Sequence, residues 1–494
     1  MIELRPYQAE GVDNLRDMYR SGRRAPMFVL ATGGGKTIVF CYISEQSVQR
    51  GKKVLILVHR IELLRQTQRA IVENTDIRCG IINANYTPDY TAPIQIASIQ
   101  TLVSNMHLIL NLFSPDFIVI DECHHASAGS WRKVIDACPN AWLLGVTATP
   151  CRTDGIGLGV DAGGYFDAMV LGPSPNWLMN EGYLVRPRVF GSAVEIDMSD
   201  VDILGGDYNK KQLNSKINKP TITGDAVEHY TRICPGEPCV VFCVSVDHAE
   251  KVAEAFRAAG YRSVSADGSL PDEERTRRLK GLETGEVQVL TTCDLISEGT
   301  DIPNIVCAIL LRKTASLTLY IQQVGRALRP VYADGYDRTT REGRLNAIAA
   351  SRKPFAIILD HVGNYKQHGF PDEDRDWSLL GTKRRGKRSI QEDEQAHKLK
   401  IRQCPDCYEI HEMADTCPGC GHVYKVSSAE ILQVDGQLRE LTKEDKEALK
   451  RIARTEVARA RTYDDLLAIE KKRNYKPGWA KFVWRSRGAK EILL

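Results

Sequence analysis

The chain has 494 residues, 43% of them hydrophobic and 26% charged, with a formal net charge of +3. That length is too great for one hydrophobic core and implies about three domains. The composition is ordinary for a soluble globular protein; the longest apolar runs, VLILV and FIVI, are too short to cross a bilayer, and the near-neutral charge means that affinity for a polyanion must come from local patches. The first residues, MIELRPYQAEG, show no secretory pattern, so a cytoplasmic protein without a membrane partner is expected. Ten of the 14 cysteines are scattered and four cluster between 404 and 420. That usage fits a reducing compartment and a metal site rather than a disulfide framework.

From residue 1 to about 185, short apolar runs alternate with amphipathic segments. APMFVLA, KVLILVH, IQIAS, FIVID and WLLGVTAT read as buried parallel strands, and stretches such as RIELLRQTQRAIVE read as the helices between them. Residues 186–220, with GGDYNKKQLNSKINKP, read as an irregular connector. Residues 221–365 repeat the strand–helix style with CVVFCV, RSVSA, VQVLTTC, CAILLR and FAIILD. This order predicts an α/β chain with two tandem doubly wound parallel-sheet domains. A charged linker follows over 366–400, marked by KRRGKR and EDE. The cysteine cluster spans 401–426. Residues 427–494 are helical in pattern and basic, with 15 Lys/Arg against 8 Asp/Glu from residue 441 onward, a bias that suggests a polyanion partner. Within this tail, YKPGWAKFVWRSR interleaves aromatic and cationic residues. The mixture suits base stacking with phosphate contact, and equally a small helical core with a basic rim.

Several short stretches carry chemistry. ATGGGKT (31–37) follows a predicted strand and opens a helix. Thr32, Gly33, Gly34 and Gly35 would let backbone N–H groups wrap a phosphate, Lys36 would neutralise β- and γ-phosphates, and Thr37 would ligate Mg²⁺. The strict phosphate-loop pattern wants glycine at position 30, where this chain has Leu30. FIVIDECHHA (117–126) puts two carboxylates at the carboxyl end of a buried strand. Asp121 is then placed to hold Mg²⁺ and Glu122 to orient and deprotonate water; coupling contacts are expected for His124. IQQVGRALRP (321–330) spaces Arg326 and Arg329 three residues apart. Guanidinium groups grip phosphate in a bidentate manner, but the pair taken alone also reads as a solvated helix face. CPDC (404–407) and CPGC (417–420) aim four thiolates, Cys404, Cys407, Cys417 and Cys420, at one point. That set suits a closed structural Zn²⁺ site.

In their order, ATGGGKT, DECH, TAT (147–149) and QQVGRALR resemble the motifs of superfamily 2 helicases. The likeness is to the DEAH-like DNA branch that includes RecG, UvrB, XPB and the motor subunits of restriction enzymes. LRPYQ (4–8), LVHRIELLRQ (57–66), SIQTL (98–102), VVFCVS (240–245) and TTCDLISEGTDIP (291–303) extend it over residues 1–365. The remaining order, ILDHVGN, cysteine knuckle and GWAKFVWRSR, is similar to phage- and prophage-encoded helicases, which implies a bacterial host cell. The resemblance implies two RecA-like domains with ATP between them. Arg326 and Arg329 would reach across to the γ-phosphate, with Gln322 where many relatives have histidine. Arg5, Tyr7 and Gln8 would contact adenine, and Gly299 and Asp301 would lie near the ribose and phosphates. Arg60, Gln100, Thr101, Ser245 and Thr292 would hold a nucleic-acid strand, although each is equally readable as a satisfied loop polar group. The implied activity is ATP-dependent DNA unwinding or translocation on single-stranded, forked or branched DNA. Replication or recombination proteins are the candidate protein partners. A DNA-stimulated remodelling ATPase and a restriction motor are the alternatives.

Overall fold

The computed structural model describes residues 2–59, 61–126, 129–152, 156–191, 198, 201–204, 206–218, 220–293, 304–381, 401–404, 406–412, 414–424, 463–472 and 480. Contacts divide the chain into one unit over Met1–Tyr424 and a second over Lys425–Leu494. In the second, helix Tyr463–Lys472 buries Leu466 and Ile469, three residues apart on one face. The basic run KRRGKR, the EDE stretch and most of the aromatic tail lie outside the described residues. None of the described helices is long and apolar enough to cross a membrane.

The first unit holds two large sheets, one wholly parallel and one mixed. Strands β1 (Pro26–Val29), β2 (Val54–Val58), β3 (Cys79–Ile82), β4 (Ile94–Ser98), β5 (Phe117–Asp121), β6 (Trp142–Thr147) and β7 (Ala168–Leu171) form one sheet in the order β3-β4-β2-β5-β6-β1-β7. Its pairings are all parallel. The central strands are buried along their whole length, which is why they read as continuous apolar runs rather than alternating ones.

The second sheet contains β8 (Pro187–Gly191), β11 (Cys239–Phe242), β12 (Ser263–Ala266), β13 (Val289–Thr292), β14 (Cys307–Leu310), β15 (Ala356–Asp360), β16 (Ile401–Gln403) and β17 (Glu409–Glu412), in the order β12-β13-β11-β14-β15-β8-β17-β16. The connector expected over 186–220 thus supplies β8, which runs parallel to β15. It also supplies a short antiparallel hairpin, β9 (Ile203–Leu204) with β10 (Asp207–Tyr208), and helix Lys210–Ile217. The proline at the start of β8 and its five-residue length hid the strand. The cysteine-bearing segment adds β17 antiparallel to β8 and β16 antiparallel to β17.

The two sheets share a seam. A single apolar cluster runs from the first sheet through Leu178, Leu184 and Val185 to Val324 and Leu328 of the second. Val185 N–H donates to the Leu328 carbonyl (2.9 Å), and Tyr332 donates to the Gly182 carbonyl (2.6 Å). Elsewhere Arg65 pairs with Asp272 across the two domains (2.8 Å). Part of the 366–400 stretch is a packed strap. Tyr320 donates to the Gly369 carbonyl (3.0 Å), then Trp377 and Leu379 pack against the first domain's core, and Ile156 bridges Gly381.

Helix Leu317–Gly325 is held from below by the hairpin. Asp207 accepts from Thr314 Oγ1 (2.9 Å), from Ala315 N–H (2.7 Å) and from Arg312 Nη2 (3.1 Å). Arg312 is only 5% exposed, so removing this carboxylate takes a counter-charge from a buried cation. Asp207→Ala is therefore expected to destabilise the protein by about 3 kcal/mol, read as a lower midpoint in urea unfolding followed by fluorescence. A midpoint equal to wild type would contradict this role.

Candidate nucleotide site at the domain interface

β1 ends at Val29, and the loop Leu30–Gly35 leads into helix Lys36–Gln49. Gly33 and Gly35 both adopt left-handed backbone, with φ of +84° and +88°, a region that residues with Cβ enter at a cost. The loop is pinned from outside. Tyr7 donates to the Gly34 carbonyl (2.8 Å), and Gln8 Nε2 donates to the same carbonyl (3.2 Å) and to that of Gly35 (3.4 Å). Gln8 Oε1 accepts from Arg5 N–H (2.9 Å), so both ends of this amide are used. Tyr7 is buried and packs edge-on against Tyr183 and Trp177, while Arg5 lies over the Tyr183 ring. The three N-terminal residues expected at adenine thus form a brace on the loop's carbonyl side.

β5 delivers Asp121, 6% exposed, and Glu122 follows it with φ +48° and ψ +51°. A non-glycine residue held there stores strain, which clusters at functional positions. Glu122 N–H donates to Asp121 Oδ1 (2.9 Å). The end of β6 meets this turn. The Thr147 hydroxyl lies 3.1 Å from His124 Nδ1 and 3.5 Å from Glu122 Oε2, and accepts from Thr149 N–H (3.1 Å). His124 Nδ1 is itself 3.4 Å from Glu122 Oε2. His124 therefore makes coupling contacts between β5 and β6, and Thr147 is a member of this cluster that the sequence reading left out. The TAT triplet was the available signal.

The second domain closes the site. A Cβ on Gly325 would come within 2.7 Å of Thr32, and one on Gly33 within 3.4 Å of Arg329 Cγ. Glycine at 325 is thus what allows the helix end to touch the phosphate loop. Gln322 and Arg326 are 3% and 6% exposed, and the buried Gln322 Nε2 has no hydrogen-bond partner among the described residues. Burial pulls the Arg329 guanidinium down to about 10. The phosphate loop thus meets Gly325 and Arg329 of the second domain at one interface.

The other described residues of the expected set lie at or just beyond strand ends, Gln100 and Thr101 after β4, Ser245 after β11 and Thr292 at the end of β13. Gln100 is exposed and donates to the His59 carbonyl (3.5 Å), and Thr101 accepts from Ser98 (2.9 Å). Ser245 caps helix Val246–Ala258 by accepting from His248 N–H, and it donates to Asn214. Thr292 is buried at the end of β13. Arg60, Gly299 and Asp301 lie outside the described residues. The four cysteines do converge: their Sγ atoms all lie within 4.8 Å of one another, with Cys404–Cys420 and Cys407–Cys417 each at 3.6 Å.

Residues 1–152 match the family described as Type III restriction enzyme, res subunit, and residues 225–331 match the Helicase conserved C-terminal domain. The chain is 30% identical over 423 residues to a 51.5 kDa protein of a Lactococcus phage, covering 85% of this chain and 82% of that protein. It is 29% identical over 344 residues to IRC3 of Saccharomyces cerevisiae, a helicase by name, covering 66% of this chain and about half (49%) of IRC3. The fold is similar to that of the Type ISP restriction-modification enzyme LlaBIII in its DNA-bound structure, with a TM-score of 0.54 at 16% identity over 80% of this chain and 29% of that one. The chain belongs to the superfamily 2 helicases. It is an ATP-dependent helicase or translocase, and hence an ATP hydrolase.

Thr147→Val keeps the shape of the side chain but loses the hydroxyl between Glu122 and His124. It is expected to lower ATP turnover by roughly tenfold or more while ATP affinity stays within about twofold, as measured by steady-state hydrolysis and nucleotide titration. Weakened affinity at unchanged turnover would contradict the coupling role.

Proposed function

We propose that the chain is a DNA motor in which Lys36, Asp121 and Glu122 of the first domain and Gln322, Arg326 and Arg329 of the second enclose ATP. The observation that carries this reading is the contact of the helix ending at Gly325 with Thr32 of the phosphate loop. Lys36 neutralises the β- and γ-phosphates, and backbone N–H groups of Thr32, Gly33, Gly34 and Gly35 donate to the phosphate oxygens at a helix start. Thr37 and Asp121 are hard oxygen donors of the kind that suits Mg²⁺; bound there with ATP, the ion offsets phosphate charge. Glu122 takes the proton of the attacking water, and its contact with His124 and Thr147 aims the carboxylate. Arg326 and Arg329 offset charge that develops on the γ-phosphate. The buried, unmatched Gln322 amide supports an acceptor on the ligand at that point. Tyr7 and Gln8 hold the loop's carbonyls and, with Arg5, are proposed to read or stack on adenine; Gly299 and Asp301 are proposed for the ribose and phosphates from the motif resemblance.

Domain closure then gates hydrolysis, and opening and closing step the domains along a strand. Arg60, Gln100, Thr101, Ser245 and Thr292 are proposed along that strand, as sequence-independent contacts to phosphates. The DNA in the LlaBIII structure supports a DNA substrate and the phage relative supports a phage setting; single-stranded, forked or branched DNA in replication or recombination is the substrate proposed from the motif resemblance. The four cysteines are proposed to hold Zn²⁺. A tetrahedral ion about 2.3 Å from each sulfur sets neighbouring sulfurs roughly 3.8 Å apart, close to the 3.6 Å separations.

DNA-stimulated ATP hydrolysis together with ATP-dependent displacement of a labelled strand from a fork tests the reading. Hydrolysis that no DNA stimulates would overturn it. Glu122→Gln is expected to abolish turnover and leave ATP bound, and Arg326→Ala to depress DNA-stimulated turnover by roughly 10³-fold with ATP affinity within several-fold. Metal analysis of freshly purified, reduced protein should find about one Zn²⁺ per chain; finding none would remove the zinc assignment and leave the motor intact.

A further inference from the structure

The arginine pair lies beyond the last turn of its helix, where carbonyl groups lack intrahelical partners. Two successive carbonyls there are tied in different directions. That of Leu328 accepts from Val185 N–H at the seam between the domains (2.9 Å). That of Arg329 accepts from Lys353 Nζ (2.6 Å). Lys353 is 0% exposed, a rare position for lysine. Its own N–H is fixed to Ser351 Oγ (3.0 Å), whose hydroxyl donates to the Ile348 carbonyl (2.8 Å). The next element is β15, paired on both sides within the sheet. A residue just ahead of an interior strand thus presents a buried ammonium to the backbone of Arg329.

We propose that Lys353 is a positioning residue for ATP hydrolysis, and that its hydrogen bond to the Arg329 carbonyl sets the backbone from which Arg329 reaches the phosphate loop. The inference rests on the proposed role of Arg326 and Arg329 at the γ-phosphate. If Lys353 served packing alone, an apolar chain would fill the volume without burying a charge. Burial first, and then the charges of Arg329 and Arg352, bring the Lys353 pKa down to about 7. Those two arginines are among the charged groups that act on it. The signs of the two pH effects are opposite. Because the folded pKa lies below the unfolded value, the unfolded chain binds more protons above about pH 7, and this lysine's contribution to stability rises with pH. The strength of its bond to Arg329 falls over the same range as the ammonium is lost.

The test uses the full chain with single-stranded DNA and compares wild type, Lys353→Met and Arg329→Ala in steady-state hydrolysis, nucleotide titration and thermal melting from about pH 6 to about pH 9. Wild-type kcat should fall as pH rises through the region near 7 while the melting temperature does not fall with it. Lys353→Met should lower kcat roughly tenfold or more at the lower pH, leave ATP affinity within about threefold, and lack the descending limb. A Lys353→Met protein with wild-type kcat, or one that keeps the limb, overturns the proposal. If that variant does not fold, the wild-type profile decides: a kcat that does not fall with pH over this range overturns it. Arg329→Ala at wild-type kcat would instead sink the underlying role of the arginine, a result distinct from failure at Lys353.

Discussion

The close approach of Gly325 to Thr32 governs how this molecule can work. A phosphate loop alone binds nucleotide; a loop touched by a second domain can report whether that domain is in place. The loop is prepared for this contact by its own backbone. Two left-handed glycines set its turn, and Tyr7 and Gln8 hold the Gly34 and Gly35 carbonyls. Since Tyr7 also packs on Tyr183, whose ring lies under Arg344 of the second domain (4.1 Å), the loop is in contact with that domain on two sides. A shift of the second domain would be felt at Gly34 through Tyr7 and at Thr32 through Gly325.

The helix that carries Gln322 is held at its start by several polar groups. Asp207 ties the preceding turn to the β9–β10 hairpin. Asn364 brackets the same turn, accepting from Thr314 N–H and donating to the Arg312 carbonyl (2.9 Å). Lys313 donates to the Gly363 carbonyl, and His368 Nε2 lies 2.8 Å from the Thr314 carbonyl. Such a network makes a local swing of the helix costly. On the proposed reading, the arginines are delivered by movement of the whole domain rather than by rearrangement of their own turn.

The parts legible in sequence are those whose chemistry is local. A glycine-rich turn before a helix, two acids after an apolar strand and two CxxC pairs each declare themselves in a few residues. Gln322, Arg326 and Arg329 also follow a recognisable order. What escaped detection depends on distant partners. Thr147 matters because β6 lies beside β5, and a lone Lys353 in SRKPF carries no pattern until the fold puts it under Arg329. The PRVFG stretch became β8 because β15 offers an edge to it, not because its own five residues insist on a strand. The bond from the Gln8 amide to the Gly34 carbonyl joins residues 26 apart in sequence, a pairing that only the fold reveals.

The cysteine segment also has a place in the sheet's physics. Without it β8 would be an open edge, a row of unpaired backbone groups ready to recruit another strand. β17 covers that edge in antiparallel register, and Arg188 on β8 fixes it by donating from Nε (3.1 Å) and Nη2 (2.7 Å) to Glu409 Oε2. A three- or four-residue strand pair is weak by itself. Four thiolates gathered on one ion would cross-link the two turns that flank β17 and make the cover permanent. A metal site placed there stabilises the β8 side of the second sheet, and β8 pairs directly with β15, the strand that Lys353 precedes. The knuckle and the nucleotide site are thus joined through two adjacent strands of one sheet, so strain at the cysteines has a short path to the backbone behind the arginines.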